Sequence, residues 1–257
     1  MFSIRKTLAV CLSVCTMAAG GRVGADKMST GDVKTDGLMV AIQERLKSVK
    51  TCEFRVRTLL TVEGEQYEIL DDVTAQTPAR MHVARVLAGR IRQTIVSDGS
   101  LMWRYDPEEK IVYRINMARV YRATQVEADA DQPNPMRPFR ALEWKSIRYS
   151  ETDTLKGEIL RVFEATPEVT LLNAELPEPP SRVRFSVHPE DGLVREVRYF
   201  NAEGGELLSR KFEALKTNVK VDEEQFEFVV PAGVHVMDVT DDIIDLIKTT
   251  KSGQQKE

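Results

Sequence analysis

The chain has little cysteine and little histidine, with three of each among its 257 residues. Cys11 and Cys15 lie in an amino-terminal apolar stretch, so Cys52 is the one thiol in the rest of the sequence and cannot form an internal disulfide there. The three histidines are far apart in sequence and have no partner at metal-ligand spacing: His82, His188 and His235. The sequence therefore predicts neither a disulfide framework nor a metal site.

Sequence motifs for catalysis are also missing. The chain has no glycine-rich phosphate loop and no nucleophile elbow. Its formal net charge of −4 argues against nucleic acid as a partner. We expect a protein that is not an enzyme and needs no cofactor. A hydrolase is an alternative, because side chains distant in sequence can converge in space.

The first residues have the pattern of an export signal. Two basic residues, Arg5 and Lys6, precede an apolar run, and Val23-Gly24-Ala25 provides a small-residue cleavage site. We interpret residues 1–25 as a cleaved signal peptide that directs the chain to the periplasm. A lipid anchor on the cysteine of Leu12-Ser13-Val14-Cys15, which resembles a lipoprotein box, is the alternative.

Hydrophobic spacing predicts one mainly β domain over residues 37–250, after a polar linker at 26–36 and before a polar tail at 251–257. Apolar residues spaced by four, four and three predict a first helix at about 36–50, and a final helix is predicted at 240–249. Between them, β-branched and aromatic segments with short turns predict an antiparallel meander of the α+β class. Its strands are predicted from Phe54 to Val62 and at about 66–76, 79–87, 91–97, 101–105, 110–115, 146–152, 157–166, 181–188, 193–201 and 205–217.

The segment 117–145 interrupts this strand pattern. Residues 126–131 are acidic and compatible with a helix, prolines follow them, and residues 139–144 have the pattern of a short amphipathic helix. We interpret the segment as an insertion that lies over the sheet. It is either a mobile loop or a lid.

Charged residues within the predicted strands have a simple interpretation. Asp71 and Asp72 are neighbours on a strand, so their side chains point to opposite faces, and we expect both to be solvated. Four arginines that alternate with apolar residues are expected on the solvated face of the sheet: Arg80, Arg85, Arg90 and Arg92.

The stretch Ser97–Pro107 combines two turns with aromatic residues. Asp98-Gly99 predicts a hairpin, because glycine tolerates positive φ, and Asp106-Pro107 predicts a second reversal. Trp103 and Tyr105 are two residues apart and share one face of the strand. That face is either part of the core or an apolar binding wall.

These motifs resemble those of the LolA-type outer-membrane lipoprotein carriers and their relatives. The resemblance extends from the first predicted helix to Asp238. Its most specific parts are Val96-Ser97-Asp98-Gly99, Trp103-Arg104-Tyr105-Asp106-Pro107, Val221-Asp222-Glu223-Glu224-Gln225-Phe226-Glu227-Phe228 and Pro231-Ala232-Gly233-Val234.

The resemblance implies a curved antiparallel half-barrel with an N-terminal helix, a helical lid insertion and a C-terminal helix. It also implies a periplasmic carrier that shields acyl chains of lipoproteins or lipids, with inner- and outer-membrane lipoprotein-sorting components as partners. We expect the cavity lining to include Phe54, Val56, Leu60, Val96, Leu101, Trp103 and Tyr105, and the lid to include Phe139, Leu142 and Trp144. A register slip of one residue would invert the two faces.

An envelope stress sensor or assembly scaffold, binding a protein partner with the same fold, is the alternative function. One departure from the family concerns the lid. The family's model carriers have an arginine before a strand-opening proline that holds the lid closed, whereas Thr77 precedes Pro78 here and Arg80 is expected to point elsewhere.

Overall fold

The computed structural model describes residues 30–62, 64–87, 90–125, 135–136, 144–155, 157–167, 176, 178 and 180–254. The predicted signal peptide, Cys15, and the lid candidates Phe139 and Leu142 lie outside these residues. The helices described are α1 (Val33–Leu46), α2 (Met117–Thr124) and α3 (Thr240–Gln254), with a short 3-10 helix at Glu223–Phe226. The strands are β1 (Thr51–Val62), β2 (Glu65–Gln76), β3 (Arg80–Leu87), β4 (Arg90–Asp98), β5 (Leu101–Asp106), β6 (Ile111–Asn116), β7 (Trp144–Leu155), β8 (Glu158–Pro167), β9 (Arg182–Val187), β10 (Val194–Phe200), β11 (Glu206–Thr217) and β12 (His235–Asp238).

All twelve of these strands form one curved, open sheet in the order β12-β6-β5-β4-β3-β2-β1-β11-β10-β9-β8-β7. Two meanders, β1 to β6 and β7 to β11, join where β1 pairs with β11. The predicted mainly β α+β fold, an open half-barrel with N- and C-terminal helices, is therefore confirmed.

Helix α2 at residues 117–124 lies in the segment that was predicted as a helical insertion. Two details of the predicted fold are wrong. Strand β12 pairs with β6 in parallel, so the sheet is not entirely antiparallel. Trp144 was predicted in a lid helix, but it begins β7 and pairs with Pro167 in the sheet. In each case pairing with a distant segment determines the outcome, and local periodicity does not report it.

The two turns predicted around β5 are present. Gly99 has φ +96°, and the Asp98 carboxylate accepts hydrogen bonds from the backbone N–H groups of Ser100 and Leu101 at 2.7 and 2.8 Å. After β5, Asp106 Oδ1 accepts hydrogen bonds from the backbone N–H groups of Glu108 and Glu109 in the same way, at 2.9 and 3.0 Å. Both aspartates satisfy turn donors that would otherwise lack partners.

Helix α1 begins at Val33 and ends at Leu46, so it lies a few residues earlier than predicted and includes the end of the predicted linker. Asp32 caps it by accepting hydrogen bonds from Lys34 N and from Thr35 Oγ1. The buried Thr35 hydroxyl in turn accepts a hydrogen bond from Tyr149 N in β7 at 2.8 Å. The cap therefore also anchors the helix to the edge of the sheet.

A glycine permits close contact between α1 and the loop that joins β9 to β10. Gly192 has φ +76°, and a Cβ atom there would lie 3.1 Å from the Ile42 carbonyl oxygen and 3.5 Å from Arg45 Cβ. Ile42 is fully buried at this contact. A larger residue at position 192 would strain the backbone and push α1 away from the sheet.

Candidate functional site

The register of the strands assigns each strand residue to one of two faces. We define the inner face as the side of the sheet on which Phe54 lies, because helices α1 and α3 pack on that side. Their residues in the same buried cluster as Phe54 are Met39, Ile42, Ile243 and Ile247. Cross-strand neighbours continue this face through Val73, Val83 and Ile95 of the next three strands. All three helices and the inner face thus share one apolar core.

Aromatic side chains occupy the inner face on both halves of the sheet. The ring centroids of Phe54 and Phe212 are 6.0 Å apart where β1 meets β11. On the other half, Phe163 and Phe185 stack with centroids 5.8 Å apart, and Tyr149 packs edge-on against Phe163. Both meanders therefore contribute aromatic side chains to the inner face.

The inner face is less covered toward the end of β1 that leads into β2. Leu60 lies opposite Tyr67 and Leu208, and Thr58 lies opposite Ile69. Tyr67 is 49% exposed, and Leu60 and Ile69 are half-buried. We call Leu60, Tyr67 and Ile69 the rim.

A row of polar side chains separates the rim from the buried apolar part of the inner face. Asp71 lies opposite Val56 on one side and Arg85 on the other, and Arg85 lies opposite Gln93. The Asp71 carboxylate is 2% exposed and accepts two hydrogen bonds from Arg85, from Nε at 2.9 Å and from Nη2 at 3.2 Å. Gln93 is 5% exposed, and its side-chain carbonyl oxygen is buried without a hydrogen-bond partner. We call Asp71, Arg85 and Gln93 the polar row.

The polar row corrects two expectations from the sequence. Asp71 and Asp72 do point to opposite faces, but Asp71 is buried and only Asp72, paired with Arg55, is solvated. Arg85 lies on the inner face, although arginines in this stretch were expected on the solvated face. An alternating pattern gives the same spacing to either face, so buried cross-strand pairs carry no signal in the sequence.

The chain between β11 and β12 packs against the outer face of β3, β4 and β5. Phe228 stacks on Trp103 with ring centroids 5.7 Å apart and contacts Tyr105 at 6.2 Å. Phe226 is buried in the 3-10 helix that packs against β3 and β4. Arg80 pairs with Glu223 of that helix, so Arg80 points away from the inner face, as expected.

The seven predicted lining residues therefore lie on two opposite faces. Phe54, Val56 and Leu60 are on the inner face, whereas the other four are on the outer face: Val96, Leu101, Trp103 and Tyr105. On that face the ring of Phe228 packs on Trp103 and Tyr105. The sequence predicts that Trp103 and Tyr105 share a face with each other, and we expected that face to line the cavity. The outer face is also apolar there, and Phe228, which is distant in sequence, covers it.

Burial shifts the pKa of two side chains in the described part of the chain. Burial raises the pKa of the Cys52 thiol to about 12, which keeps it protonated and poorly nucleophilic. Burial lowers the pKa of His82, and His188 Nδ1 lies 3.5 Å from Asp191. In the described ranges, no three His, Cys, Asp or Glu side chains lie close enough to hold a metal ion. The same part of the chain contains no helix with the length and hydropathy needed to cross a bilayer.

Comparison with known proteins gives a likeness of fold. No protein-family model matches the chain, and no curated protein matches its sequence. An uncharacterized conserved protein from Thermus thermophilus is similar over 79% of this chain and 97% of its own, with 11% identity and a TM-score of 0.54. This structure supports the fold and no particular activity.

Two further structures bear names from the family that the sequence resembles. A domain from Vibrio parahaemolyticus, described as outer membrane lipoprotein-sorting, is similar over 76% of this chain and 96% of its own, with 10% identity and a TM-score of 0.44. A LolA superfamily protein from Nitrosomonas europaea is similar over 76% of this chain and 97% of its own, with 10% identity and a TM-score of 0.36.

Proposed function

We propose that this protein is a periplasmic carrier or chaperone that binds acyl chains of lipoproteins or lipids on the inner face of its sheet. The observation that carries the proposal is the apolar surface of the inner face, which is buried under helices at its centre and, beyond the polar row, is partly exposed at the rim. Binding without catalysis agrees with a protonated Cys52. Lipoprotein-sorting components of the two membranes are the proposed partners.

The energetics of acyl chains explain why such a carrier needs an apolar face. Burial contributes about 0.8 kcal/mol per methylene, so a chain of about 16 carbons gains on the order of 12 kcal/mol in a membrane. A carrier must offset that gain with its own apolar surface. Because residues of α1 and α3 belong to the buried cluster of the inner face, an acyl chain enters that cluster only if part of this cover moves, which also provides a route for release.

Two adjacent leucines of β1 allow a matched test. Leu60 and Leu59 are both half-buried, but Leu60 faces the rim opposite Leu208, whereas Leu59 lies on the outer face opposite Ser209. We expect Leu60→Gln to weaken binding of a palmitoylated peptide by about tenfold, and Leu59→Gln to leave binding unchanged. The measurement is fluorescence titration of the purified, delipidated protein with a labelled palmitoylated peptide.

The same titration tests the proposal itself. A delipidated protein that gives no signal with the peptide would refute it. So would equal losses in both variants, because the bound chain would then not lie on the inner face. Native mass spectrometry of the protein purified from its own envelope would identify the bound lipid or lipoprotein.

A protein partner is the second candidate function, and edge strand β12 favours it. All four of its residues are exposed, including Val236 and Met237, and Val229 nearby is 83% exposed. The N–H groups of His235 and Val239 donate toward β6, so the N–H of Val236 points away from the sheet and is available to an added strand. Capture of a membrane regulator by the delipidated protein, lost in Val236→Pro, would favour this function.

A further inference from the structure

Gln93 places a buried hydrogen-bond acceptor on the inner face. Its side-chain carbonyl oxygen has no hydrogen-bond partner, although the residue is only 5% exposed. A buried acceptor without a donor destabilises the protein, and native structures contain few of them. A protein retains such a group more readily when a ligand supplies the missing donor.

The position of Gln93 defines what such a ligand looks like. On one side lies the buried apolar surface of Val83 and Ile95, which are 2% and 0% exposed. On the other side the polar row leads to the rim, since the Arg85 side chain is 23% exposed and Ile69 is half-buried. The acceptor thus lies at a boundary between apolar and polar surface. An amphiphile meets both surfaces when its head group lies at that boundary.

The charges near Gln93 disfavour a cationic head group, because the buried Arg104 guanidinium lies opposite Ile95 on the same face. The Asp71 carboxylate is compensated by two hydrogen bonds from Arg85, so this pair adds no net charge beside Gln93. A carbonyl oxygen accepts hydrogen bonds and repels another acceptor, such as a carboxylate or an ester oxygen. The matching head group therefore contains a hydroxyl or an amide N–H.

We propose that Gln93 binds an acyl ligand whose head group carries a hydrogen-bond donor, such as a hydroxyl of a monoacylglycerol or the N–H of an N-acyl amide. This inference rests on the proposed function, because it names the class of acyl compound that the inner face selects. The hydrocarbon supplies affinity through the apolar surface, and Gln93 Oε1 supplies selectivity by accepting the donor of the head group.

Two ligands with the same acyl chain separate these contributions. Monolauroylglycerol has hydroxyl donors, whereas methyl laurate has acceptors only. Each displaces a dansyl-labelled fatty acid from the delipidated protein, and the ratio of the two affinities is compared between the native protein and Gln93→Leu. Differences in water solubility cancel in this comparison. We expect the ratio to fall by about tenfold in Gln93→Leu, the effect of one lost hydrogen bond.

Control variants distinguish a binding role from a structural one. Gln93→Asn keeps an uncharged amide acceptor on the same face and is expected to retain the preference. Thr94→Val changes the adjacent residue, which lies on the outer face opposite Tyr105, and is expected to leave the ratio unchanged. Gln93→Met, which preserves the shape of the side chain, replaces Gln93→Leu if that variant does not fold. The ligand-free Gln93→Leu or Gln93→Met protein is expected to unfold at a temperature no lower than the native protein.

Two results would overturn the inference, and they differ in what they leave standing. If both ligands bind and the ratio is the same in the native protein and Gln93→Leu, the inner face binds acyl chains without selecting a donor. If neither ligand displaces the probe from the native protein, the proposed function fails together with this inference.

Discussion

The ion pair between Asp71 and Arg85 gives the sharpest test of the inner face. Its partners lie on neighbouring strands, and Asp71 is 2% exposed. The next residue along β2, Asp72, forms a pair of the same chemistry with Arg55 on the outer face, with both side chains about half exposed. The two pairs therefore compare the same interaction on opposite faces of one strand.

The expected magnitudes follow from burial. Hydrogen bonds to charged groups contribute about 1.5–3 kcal/mol, and removing one partner of a buried pair leaves an uncompensated charge that costs about 3–5 kcal/mol. Arg85 is 23% exposed and retains some hydration, so we expect a coupling energy with Asp71 of about 2 kcal/mol. For the exposed pair of Arg55 and Asp72, the expected coupling is below about 1 kcal/mol.

Double-mutant cycles measure both couplings. The inner cycle uses Asp71→Leu, Arg85→Met and the double variant, and the outer cycle uses Asp72→Leu, Arg55→Met and their double variant. Urea unfolding gives the free energy of unfolding of each protein. The double variant of the inner pair is expected to be more stable than Asp71→Leu alone, because it no longer contains a largely buried guanidinium that has lost the Asp71 carboxylate.

Equal couplings in the two cycles would refute the assignment of Asp71 to a buried inner face. A coupling below about 0.5 kcal/mol for the inner pair would have the same meaning, because that is the value of a solvated surface pair. The outcome does not depend on which ligand the protein binds.

Three further predictions concern other parts of the fold. Gly192→Ala should lower the free energy of unfolding by about 2–3 kcal/mol, since it adds a Cβ atom 3.1 Å from a carbonyl oxygen of α1 at a positive φ. Partial burial raises the pKa of Asp238, but hydrogen bonds from Thr240 and Arg114 outweigh it and hold the pKa at about 2. The stability that Asp238 contributes is therefore present above its ordinary pKa and lost as pH falls through about 2, so the difference from Asp238→Asn in urea unfolding should shrink on acidification. Phe228→Ala should destabilise the protein by about 1–2 kcal/mol and shift tryptophan fluorescence to longer wavelength, because it uncovers Trp103.

Each of these predictions has a control within the chain. Gly204 has a similar positive φ with open space around it. If Gly204→Ala lowers the free energy of unfolding as much as Gly192→Ala does, the contact with α1 is not the cause of the loss at Gly192. A pH-independent difference between the native protein and Asp238→Asn would contradict the depressed pKa. Val229→Ala, next to Phe228 but 83% exposed, should leave stability and fluorescence unchanged.

The elements of this fold can be predicted from the sequence because local sterics define them. Alternation at a period of two predicts the strands, and an aspartate before glycine or proline marks the two turns around β5, where Asp98 and Asp106 cap free N–H groups. The motif at residues 221–228 was recognised from the sequence too. Its structural role, covering Trp103 and Tyr105, was not.

The faces of the sheet depend on long-range packing. Trp103 and Tyr105 share one face by alternation, but that face is the outer one because Phe228 reaches it from far along the chain. Asp71 is buried because Arg85 of the next strand compensates its charge, and no pattern within β2 reports that pairing. Alternation determines which residues lie together on a strand, whereas the packing of distant segments determines which set is buried and against what.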